Sequence, residues 1–295
     1  RAIAGMESSL VRLVDQLLDE LYAQPQPDLI EQFASAIQIE VIGNLLDVPL
    51  QDRGPLRAWS LAILGALEPV LSDQALAAGN QAVEEFMNYL ADLITHRRSH
   101  PGNPDTDVLT RLIQGEPDGE KLSMKELLHN CIFLLNAGHE TTTNLIGNGL
   151  MALHDADEQR SRLLNEPELI KSAVEEVLRY ESSNQLGNRI TTETVHIGDI
   201  VLPPQTRITL CIGAANRDPL QFAQPEKFDI ARNPNRHLAF ASGTHACVGM
   251  SLARLEGQIA LGRFVARYPH YRIENPVRSP RVRFRGFVQL PAVLS

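Results

Sequence analysis

The chain has 295 residues, 43% of them hydrophobic, which is enough to bury the core of one large domain or two smaller ones. Lys and Arg number 27 against 36 Asp and Glu, and the formal charge of −9 argues against nucleic acid as the main partner because no overall basic field exists. The three cysteines, Cys131, Cys211 and Cys247, are widely spaced and odd in number, so the sequence predicts no disulfide framework and a reducing, cytoplasmic compartment.

The first hundred residues have the apolar spacing of amphipathic helices. In the first helix, positions 10, 13, 14, 17, 18 and 21 place leucine or valine on one face. The pattern begins directly after Arg1, with no initiator Met, and we expect the chain to be a fragment or a processed piece of a longer protein. Further helices are predicted over 30–46, 55–71 and 73–98, and a loop from His100 to Thr106 follows them.

A long helix is predicted from Ser123 to about Leu153. Ser123 and Glu126 have the spacing of a capping box at its start. About thirty residues at 1.5 Å each form a rod of roughly 45 Å, long enough to cross a domain. Its apolar run at 131–135 is far too short to span a bilayer and no secretory signal is visible, so no membrane association is predicted.

The second half of the chain adds a small β portion. A helix is predicted over 166–181, and the β-branched, alternating residues 189–212 indicate short strands. An irregular stretch rich in Pro and Asn, 217–239, precedes a last helix at about 248–268 and a basic, strand-like tail. The sequence therefore predicts a mainly α fold with a small β portion, forming a single domain over residues 1–295.

The middle of the long helix carries an unusual polar segment, NAGHETTTN, at 136–144. Gly138 costs about 1 kcal/mol relative to Ala in a helix interior, and threonine is also a weak helix former. One interpretation is a locally distorted helix facing a cavity, with Glu140 and a threonine hydroxyl passing protons inward. The alternative is an exposed polar face, or threonines bonded to their own i−4 carbonyls. A zinc motif is not present, because Thr143 replaces the second histidine that His139 and Glu140 would need.

Two other features are weaker signals when taken alone. Glu176 and Arg179 lie three residues apart on one helix face and can form an ion pair, which at a surface would contribute little. Cys131, on an apolar helix face, and Cys211, in a strand-like segment, are expected to be buried and inert.

Cys247 ends a glycine-containing loop, FASGTHACVG, just before the last helix. Backbone N–H groups and the positive end of the helix dipole at that position favour a thiolate. Gly243 and Gly249 would let the backbone pass close beneath a flat group, with Phe240 packed beside it. Three chemistries stay open: a nucleophile with His245 as its base, a zinc ligand whose partner ligands are not nearby, and an axial ligand of haem iron.

Taken together and in this order, these motifs resemble those of the cytochromes P-450, the haem-thiolate monooxygenases, in their soluble bacterial form. The haem-binding pattern F-x-x-G-x-x-x-C-x-G is matched by Phe240, Gly243, Cys247 and Gly249. The oxygen-activating pattern A-G-x-[DE]-T-T is matched by Ala137, Gly138, Glu140, Thr141 and Thr142, and the E-x-x-R pair by Glu176 and Arg179. The resemblance covers essentially the whole chain and starts near helix D of the family, which implies a P-450 fold that is N-terminally incomplete.

The resemblance implies a role for each matched residue. Cys247 would be the proximal thiolate ligand of haem b, iron protoporphyrin IX. Glu140 and Thr141 would deliver protons to dioxygen. The remaining cofactor contacts would come from Ala137, Phe240, Gly243 and Gly249, and from Arg189 and His245 at the haem propionates. His237 is assigned either to the propionates or to capping the loop.

Two further assignments also rest on the resemblance. Glu176 and Arg179 would form a buried ion pair that holds their helix against the irregular segment, with Lys227 or Arg232 as a third, basic partner. Substrate contacts would come from Ala137, from Ser182 to Gln185 and from Gly286 to Val288.

The implied reaction is the insertion of one oxygen atom from dioxygen into a small or medium-sized apolar substrate. The chain has no cluster-ligating cysteine set and no dinucleotide or flavin fingerprint, so electrons would come from a separate ferredoxin- or flavodoxin-type donor. Arg254, Arg263 and Arg267 could form a basic docking patch on the last helix, or a solvated helix face. The competing hypotheses are a peroxide-driven haem-thiolate enzyme and a truncated, haem-free or non-catalytic haem-binding fragment.

Overall fold

The computed structural model describes residues 2–104, 107–115, 119 and 121–295, so Asp105 and Thr106 of the predicted loop lie outside the described residues. The fold is mainly α with a small β portion in the second half, as predicted. The helices in the described part are α1 (Ala2–Tyr22), α2 (Ser35–Leu45), α3 (Leu56–Gly65), α4 (Asp73–Ser99), α5 (Val108–Gln114), α6 (Met124–Asp155), α7 (Asp157–Asn165), α8 (Ile170–Tyr180), α9 (Ile212–Ala215) and α10 (Met250–Arg267).

The strands form two-stranded antiparallel ladders. The strands are β1 (Leu186–Ile190), β2 (Val195–Ile197), β3 (Ile200–Leu202), β4 (Arg207–Cys211), β5 (Arg272–Ile273), β6 (Val277–Arg278), β7 (Phe287–Gln289) and β8 (Ala292–Val293). β1 pairs with β4, β2 with β3, β5 with β8 and β6 with β7. The last four strands come from the tail, so the C-terminal residues fold back on the helical body instead of trailing away from it.

Two predicted helix boundaries differ from the structure. The helical pattern over 30–46 starts with a π-helical turn, Ile30–Ala34, before α2. The pattern over 55–71 ends early, since α3 stops at Gly65. Pro69 disfavours helical conformation in the residue before it, and the apolar side chains of the connection to α4, including Val70, are exposed. Among the described helices, none combines the length and apolar content needed to cross a membrane.

Helix α6 runs between two hydrophobic clusters. The predicted capping box is confirmed: Ser123 Oγ accepts a hydrogen bond from the Glu126 amide at 3.3 Å, and the Glu126 carboxylate accepts one from the Ser123 amide at 2.8 Å. The first half of the helix packs with α4 and α5, and the second half packs with α8 and α10. The polar segment 136–144 therefore lies where the two clusters meet.

Of the two interpretations of the polar segment, the structure favours the undistorted one, because residues 136–144 are α-helical throughout, with no π or 3₁₀ turn. Gly138 has a packing reason: a Cβ at this position would lie 3.1 Å from Cδ1 of Ile42, so the missing side chain lets α2 approach. Thr141 Oγ1 donates to the carbonyl of Ala137 at 2.7 Å, which is the i−4 bond of the alternative interpretation.

Candidate functional site

The Cys247 loop presents a free thiol on its surface. Cys247 is exposed, its amide donates to the Phe240 carbonyl at 2.9 Å, and its carbonyl accepts from the Met250 amide at 3.3 Å. Gly243 has a φ of +67°, a conformation that favours glycine. Within the described residues His245 and Cys247 share no hydrogen bond, so the nucleophile–base hypothesis gains no support. Backbone contacts, rather than side-chain partners, set the position of the thiol.

A charged cluster holds this loop against α8. Arg254 donates to both carboxylate oxygens of Glu175, at 2.7 and 2.9 Å, and its guanidinium lies 4.8 Å from the Phe240 ring centroid. His237 Nε2 contacts the same carboxylate at 2.9 Å, and its Nδ1 accepts from the Ala239 amide at 3.3 Å. Burial alone would raise the pKa of Glu175, but the hydrogen bonds from these two partners lower it to about 2.

The assignment of His237 to a haem propionate is corrected by these contacts. Its side chain is only 4% exposed, and both ring nitrogens already have protein partners. No ring nitrogen is left to bind an outside carboxylate, so His237 fastens the loop, as its other interpretation proposed.

Glu176 and Arg179 are fully buried and form a bidentate ion pair, with N–O distances of 2.8 and 2.9 Å. Arg179 also donates to the carbonyls of Asn216, Pro225 and Lys227, all in the irregular segment between α9 and the cysteine loop. The predicted clamp between α8 and this segment is therefore present.

The third partner of the clamp is Arg232, not Lys227. Arg232 Nε lies 3.2 Å from each carboxylate oxygen of Glu176, whereas Lys227 contributes its backbone carbonyl. Asn235 donates to the same carboxylate at 3.1 Å. The buried negative charge of Glu176 is therefore met by several donors, as a carboxylate without solvent requires.

Glu140 is buried on α6, with 6% of its surface exposed, and forms an ion pair with Arg281 of the tail. Burial raises the pKa of Glu140 above its ordinary value; Arg281 opposes the shift, and the charge of Glu68 adds to it. Thr141, the next residue, is half-buried, and Ala137 is exposed one turn earlier. The predicted proton-delivery residues therefore combine a shielded acid with a more accessible hydroxyl.

His139 faces a different neighbour from Glu140. Its Nε2 lies 3.0 Å from Ser35 Oγ on α2, and burial lowers its pKa to about 4, with a smaller effect from Arg57. The described residues contain no group of three His, Cys, Asp or Glu side chains able to hold a metal ion.

The predicted substrate-contacting segments lie together in the structure. The Gln185 amide donates to the Arg283 carbonyl at 2.8 Å, and the Arg285 amide donates to the Ser183 carbonyl at 2.9 Å. A Cβ at Gly286 would overlap the side chain of Asn144, so the tail backbone lies directly on α6. One continuous wall thus joins α6, residues 182–185 and the tail.

Arg189 and His245, the two predicted propionate contacts, have side chains open to an outside anion. Arg189 lies on β1 and donates to the Asn188 carbonyl at 2.7 Å, while His245 is exposed in a short 3₁₀ turn. Neither has an acidic partner among the residues that the structure describes. Both are therefore able to bind carboxylates, although the structure does not bring them into contact with each other.

The features around Cys247 fit a haem group. A Cβ at Gly243 would meet open space, and one at Gly249 would approach only the Cys247 sulfur, at 3.9 Å. Val248, beside the thiol, is 91% exposed, so the loop offers apolar surface together with one soft donor. A porphyrin supplies the remaining equatorial ligands itself, which a bare metal ion does not.

One prediction about the other cysteines is wrong. Cys211 is exposed at the end of β4, whereas Cys131 is buried as expected, where burial raises its pKa to about 12.

The three arginines of α10 for which a basic docking patch or a solvated helix face was considered are each paired with an acid. The pairs are Arg254 with Glu175, Arg263 with Asp15 and Arg267 with Asp19.

A buried carboxyl on α10, that of Glu256, was not predicted from the sequence. It is 2% exposed, and burial raises its pKa to about 8, although Gln38 on α2 and Thr142 on α6 oppose the shift. Its Oε1 has no hydrogen-bond partner in the described structure. Nothing in the sequence marks it, because a glutamate in the middle of an amphipathic helix is ordinarily solvated.

Glu256 is expected to make the protein less stable as pH rises. Because its folded pKa of about 8 exceeds the ordinary 4.5, the folded state holds an extra proton between these values. This stabilisation is complete below about pH 4.5 and is lost towards pH 8, by up to about 1.4 kcal/mol per pH unit. In urea unfolding, the free energy of unfolding of the Glu256→Gln protein should fall less between pH 5 and 8 than that of the wild type, by about 2–4 kcal/mol. Glu158→Gln, at an exposed glutamate, is the control. If the free energy of unfolding changes equally with pH in both variants, the raised pKa of Glu256 is refuted.

Comparison with known proteins gives a consistent result. A sequence model described as Cytochrome P450 matches residues 64–292. Cytochrome P450 107B1 of Saccharopolyspora erythraea is 40% identical over 296 residues, covering 99% of this chain and 71% of that protein. The biotin biosynthesis cytochrome P450 of Bacillus subtilis is 36% identical, covering 99% of this chain and 73% of that protein. The structure of P450BioI in complex with an acyl carrier protein ligated to hexadec-9Z-enoic acid gives a TM-score of 0.94 at 36% identity, covering 99% of this chain and 75% of that chain.

Proposed function

The chain belongs to the cytochrome P450 family, and from this membership we propose how its own residues serve the family reaction. It is an oxidoreductase with haem b as cofactor, and it inserts one oxygen atom of dioxygen into an organic substrate with electrons from a separate redox partner. The observation that carries the site assignment is the exposed Cys247 thiol, held by backbone hydrogen bonds just before α10.

Haem, when bound, supplies the iron at which dioxygen is activated. We assign Cys247 as the thiolate that holds this iron, and Arg189 and His245 as the cationic and hydrogen-bonding side chains for the propionates. Gly243 and Gly249 leave space for the cofactor at their own positions, because they carry no side chains. Phe240, fixed by Arg254, keeps the loop in place, and Ala137 is assigned as a cofactor contact on α6 because its side chain is small and exposed.

Glu140 and Thr141 are proposed to hold and move the protons of the reaction. Thr141 Oγ1 donates its hydrogen to the carbonyl of Ala137, so its lone pairs are free to accept another proton. The raised pKa of Glu140, which burial causes, lets this carboxyl exchange a proton closer to neutral pH than an exposed glutamate does. The carboxyl is the proton store, and the hydroxyl passes the proton on.

We propose a small or medium-sized apolar substrate. Phe133 lies two helical turns before Thr141, and Ala137 lies one turn before it. Both side chains are exposed, so this face of α6 has an apolar surface. The wall formed by residues 182–185 and the tail would bound the same space. A ferredoxin- or flavodoxin-type donor is proposed, because the chain has no cluster or flavin motif of its own. A cytoplasmic location is proposed from the free cysteines.

Thr141→Ala is expected to uncouple electron supply from product formation. With a ferredoxin, its reductase and an apolar substrate chosen by optical binding, product per electron pair should fall roughly tenfold or more, and released peroxide should rise. Thr143→Val is the matched control, since the Thr143 hydroxyl is buried without a partner. Unchanged coupling in Thr141→Ala, or wild-type turnover with hydrogen peroxide alone, would instead support the peroxide-driven alternative.

A further inference from the structure

Arg281, a side chain of the C-terminal tail, connects helix α6 with helix α3. One end of its guanidinium, Nη1, forms the ion pair with Glu140 on α6. The other end, Nη2, donates to the carbonyl of Leu61, just before the last turn of α3, at 2.7 Å, and it also lies close to Gly65 at the end of that helix. A single side chain from the tail therefore contacts the proposed proton store and the end of a neighbouring helix at the same time.

A second contact fastens the tail to the end of α3. Glu68, in the connection after α3, accepts hydrogen bonds from the amides of Val282 and Arg283 at 3.0 and 3.1 Å. A cation at a helix C-terminus is also favoured by the helix dipole, and Arg281 occupies that position at α3. The position of Arg281 therefore depends on α3 and on Glu68, not on Glu140 alone.

The charges around Glu140 make its protonation depend on where Arg281 lies. Arg281 is the cation that opposes the effect of burial on its pKa, and Glu68 is the anion that adds to that effect. On α6, His139 faces α2 instead, and Arg57 of α3 acts on His139. Moving Arg281 away would leave Glu140 buried without a cation, a situation in which a carboxyl takes up a proton.

We propose that Arg281 is a positioning residue that couples the docking of α3 to the protonation of Glu140. While α3 and the tail are docked, the guanidinium holds Glu140 as a carboxylate. When this contact opens, Glu140 loses its cation and binds a proton. Because coupling is reciprocal, protonated Glu140 holds Arg281 less strongly and loosens the contact between α3 and the tail. The catalytic meaning rests on the proposed role of Glu140, but the coupling itself is measurable without turnover.

The first test follows the protonation of Glu140 by infrared titration of the whole chain. A protonated carboxyl has its own carbonyl band in the infrared spectrum. The part of this band that disappears in the Glu140→Gln protein is assigned to Glu140, and the part that remains includes the contribution of Glu256. In the Arg281→Gln protein, Glu140 should bind its proton at least about tenfold more tightly than in the wild type. In the Arg281→Lys protein, which keeps a cation, the increase in proton affinity should be smaller. Arg278→Gln, a tail arginine that contacts Glu181, is the matched control and should leave the titration unchanged. An unchanged titration in Arg281→Gln overturns the proposal.

Glu68→Ala separates coupling from simple electrostatics, because it removes both the charge of Glu68 and the oxygen that accepts from the Val282 and Arg283 amides. Loss of the negative charge alone would lower the pKa of Glu140, whereas loss of the anchor that holds the tail, and with it Arg281, would raise that pKa. The proposal expects the rise. A fall in the Glu68→Ala protein would show that the tail contact does not position Arg281.

The reciprocal effect is tested by hydrogen exchange with haem bound and in its absence. Glu140→Gln mimics the protonated acid, so amides of α3 and of residues 279–285 should exchange severalfold faster than in the wild type. Amides of α8, distant from the contact, report any general loss of stability. Equal protection of α3 in both proteins would overturn the coupling. Failure of product formation with the coupling intact would instead count against the proposed function.

Discussion

Replacing Arg179 by Ala is expected to cost about 3–5 kcal/mol of unfolding free energy, because Glu176 would then be a buried charge without its main partner. Both side chains have 0% exposure, so water is not available to replace the guanidinium. The substitution also removes the donors to three carbonyls of the segment that leads to the cysteine loop. The expected effect is therefore global destabilisation together with loosening of the Cys247 loop.

Urea unfolding measures this change, and Arg162→Ala is the matched control. Arg162 pairs with Glu166 four residues later, but both are partly exposed, and such pairs contribute about 0–1 kcal/mol. A double variant, Glu176→Gln with Arg179→Met, should recover part of the loss because it leaves no buried charge. If Arg179→Ala costs no more than Arg162→Ala, the clamp does not stabilise the fold.

The contrast between these two pairs shows what sequence can predict. Glu176–Arg179 and Arg162–Glu166 are both ordinary helical spacings, and spacing does not reveal burial. What buries the first pair is the segment after α9, including Arg232, more than fifty residues away. Only the resemblance to a family indicated that the pair is internal, and the structure supplies the physical reason.

Local signals predicted local structure well. The capping box at Ser123 depends on two side chains within one turn, and it was predicted correctly. The packing reason for Gly138 was not predicted, because the helix that packs against it, α2, is about a hundred residues away in the sequence. The same limit hid Glu256 and Arg281, whose partners lie on other helices.

The arginines of α10 show the same limit. Arg263 and Arg267 pair with Asp15 and Asp19, which are on α1 at the other end of the chain. The charge pattern along one helix describes its face and cannot reveal acidic partners on another helix.

Cys247→Ser is expected to remove the spectroscopic signature of thiolate-ligated haem entirely, since no other sulfur is placed in that loop. Cys211→Ser is the matched control, because Cys211 is the other exposed free thiol and lies at the end of β4. Haem content, measured separately, distinguishes loss of the ligand from loss of the cofactor. A hydroxyl in place of the thiol keeps the size of the side chain, so the loop itself should stay folded.

The absorption spectrum of the reduced, carbon-monoxide-bound protein tests the central assignment most directly. Wild type and Cys211→Ser should both show the strongly red-shifted Soret band of a haem-thiolate centre, and Cys247→Ser should lack it. A red-shifted band that survives in Cys247→Ser, or a haem-loaded wild type without it, would contradict the assignment of Cys247 as the iron ligand.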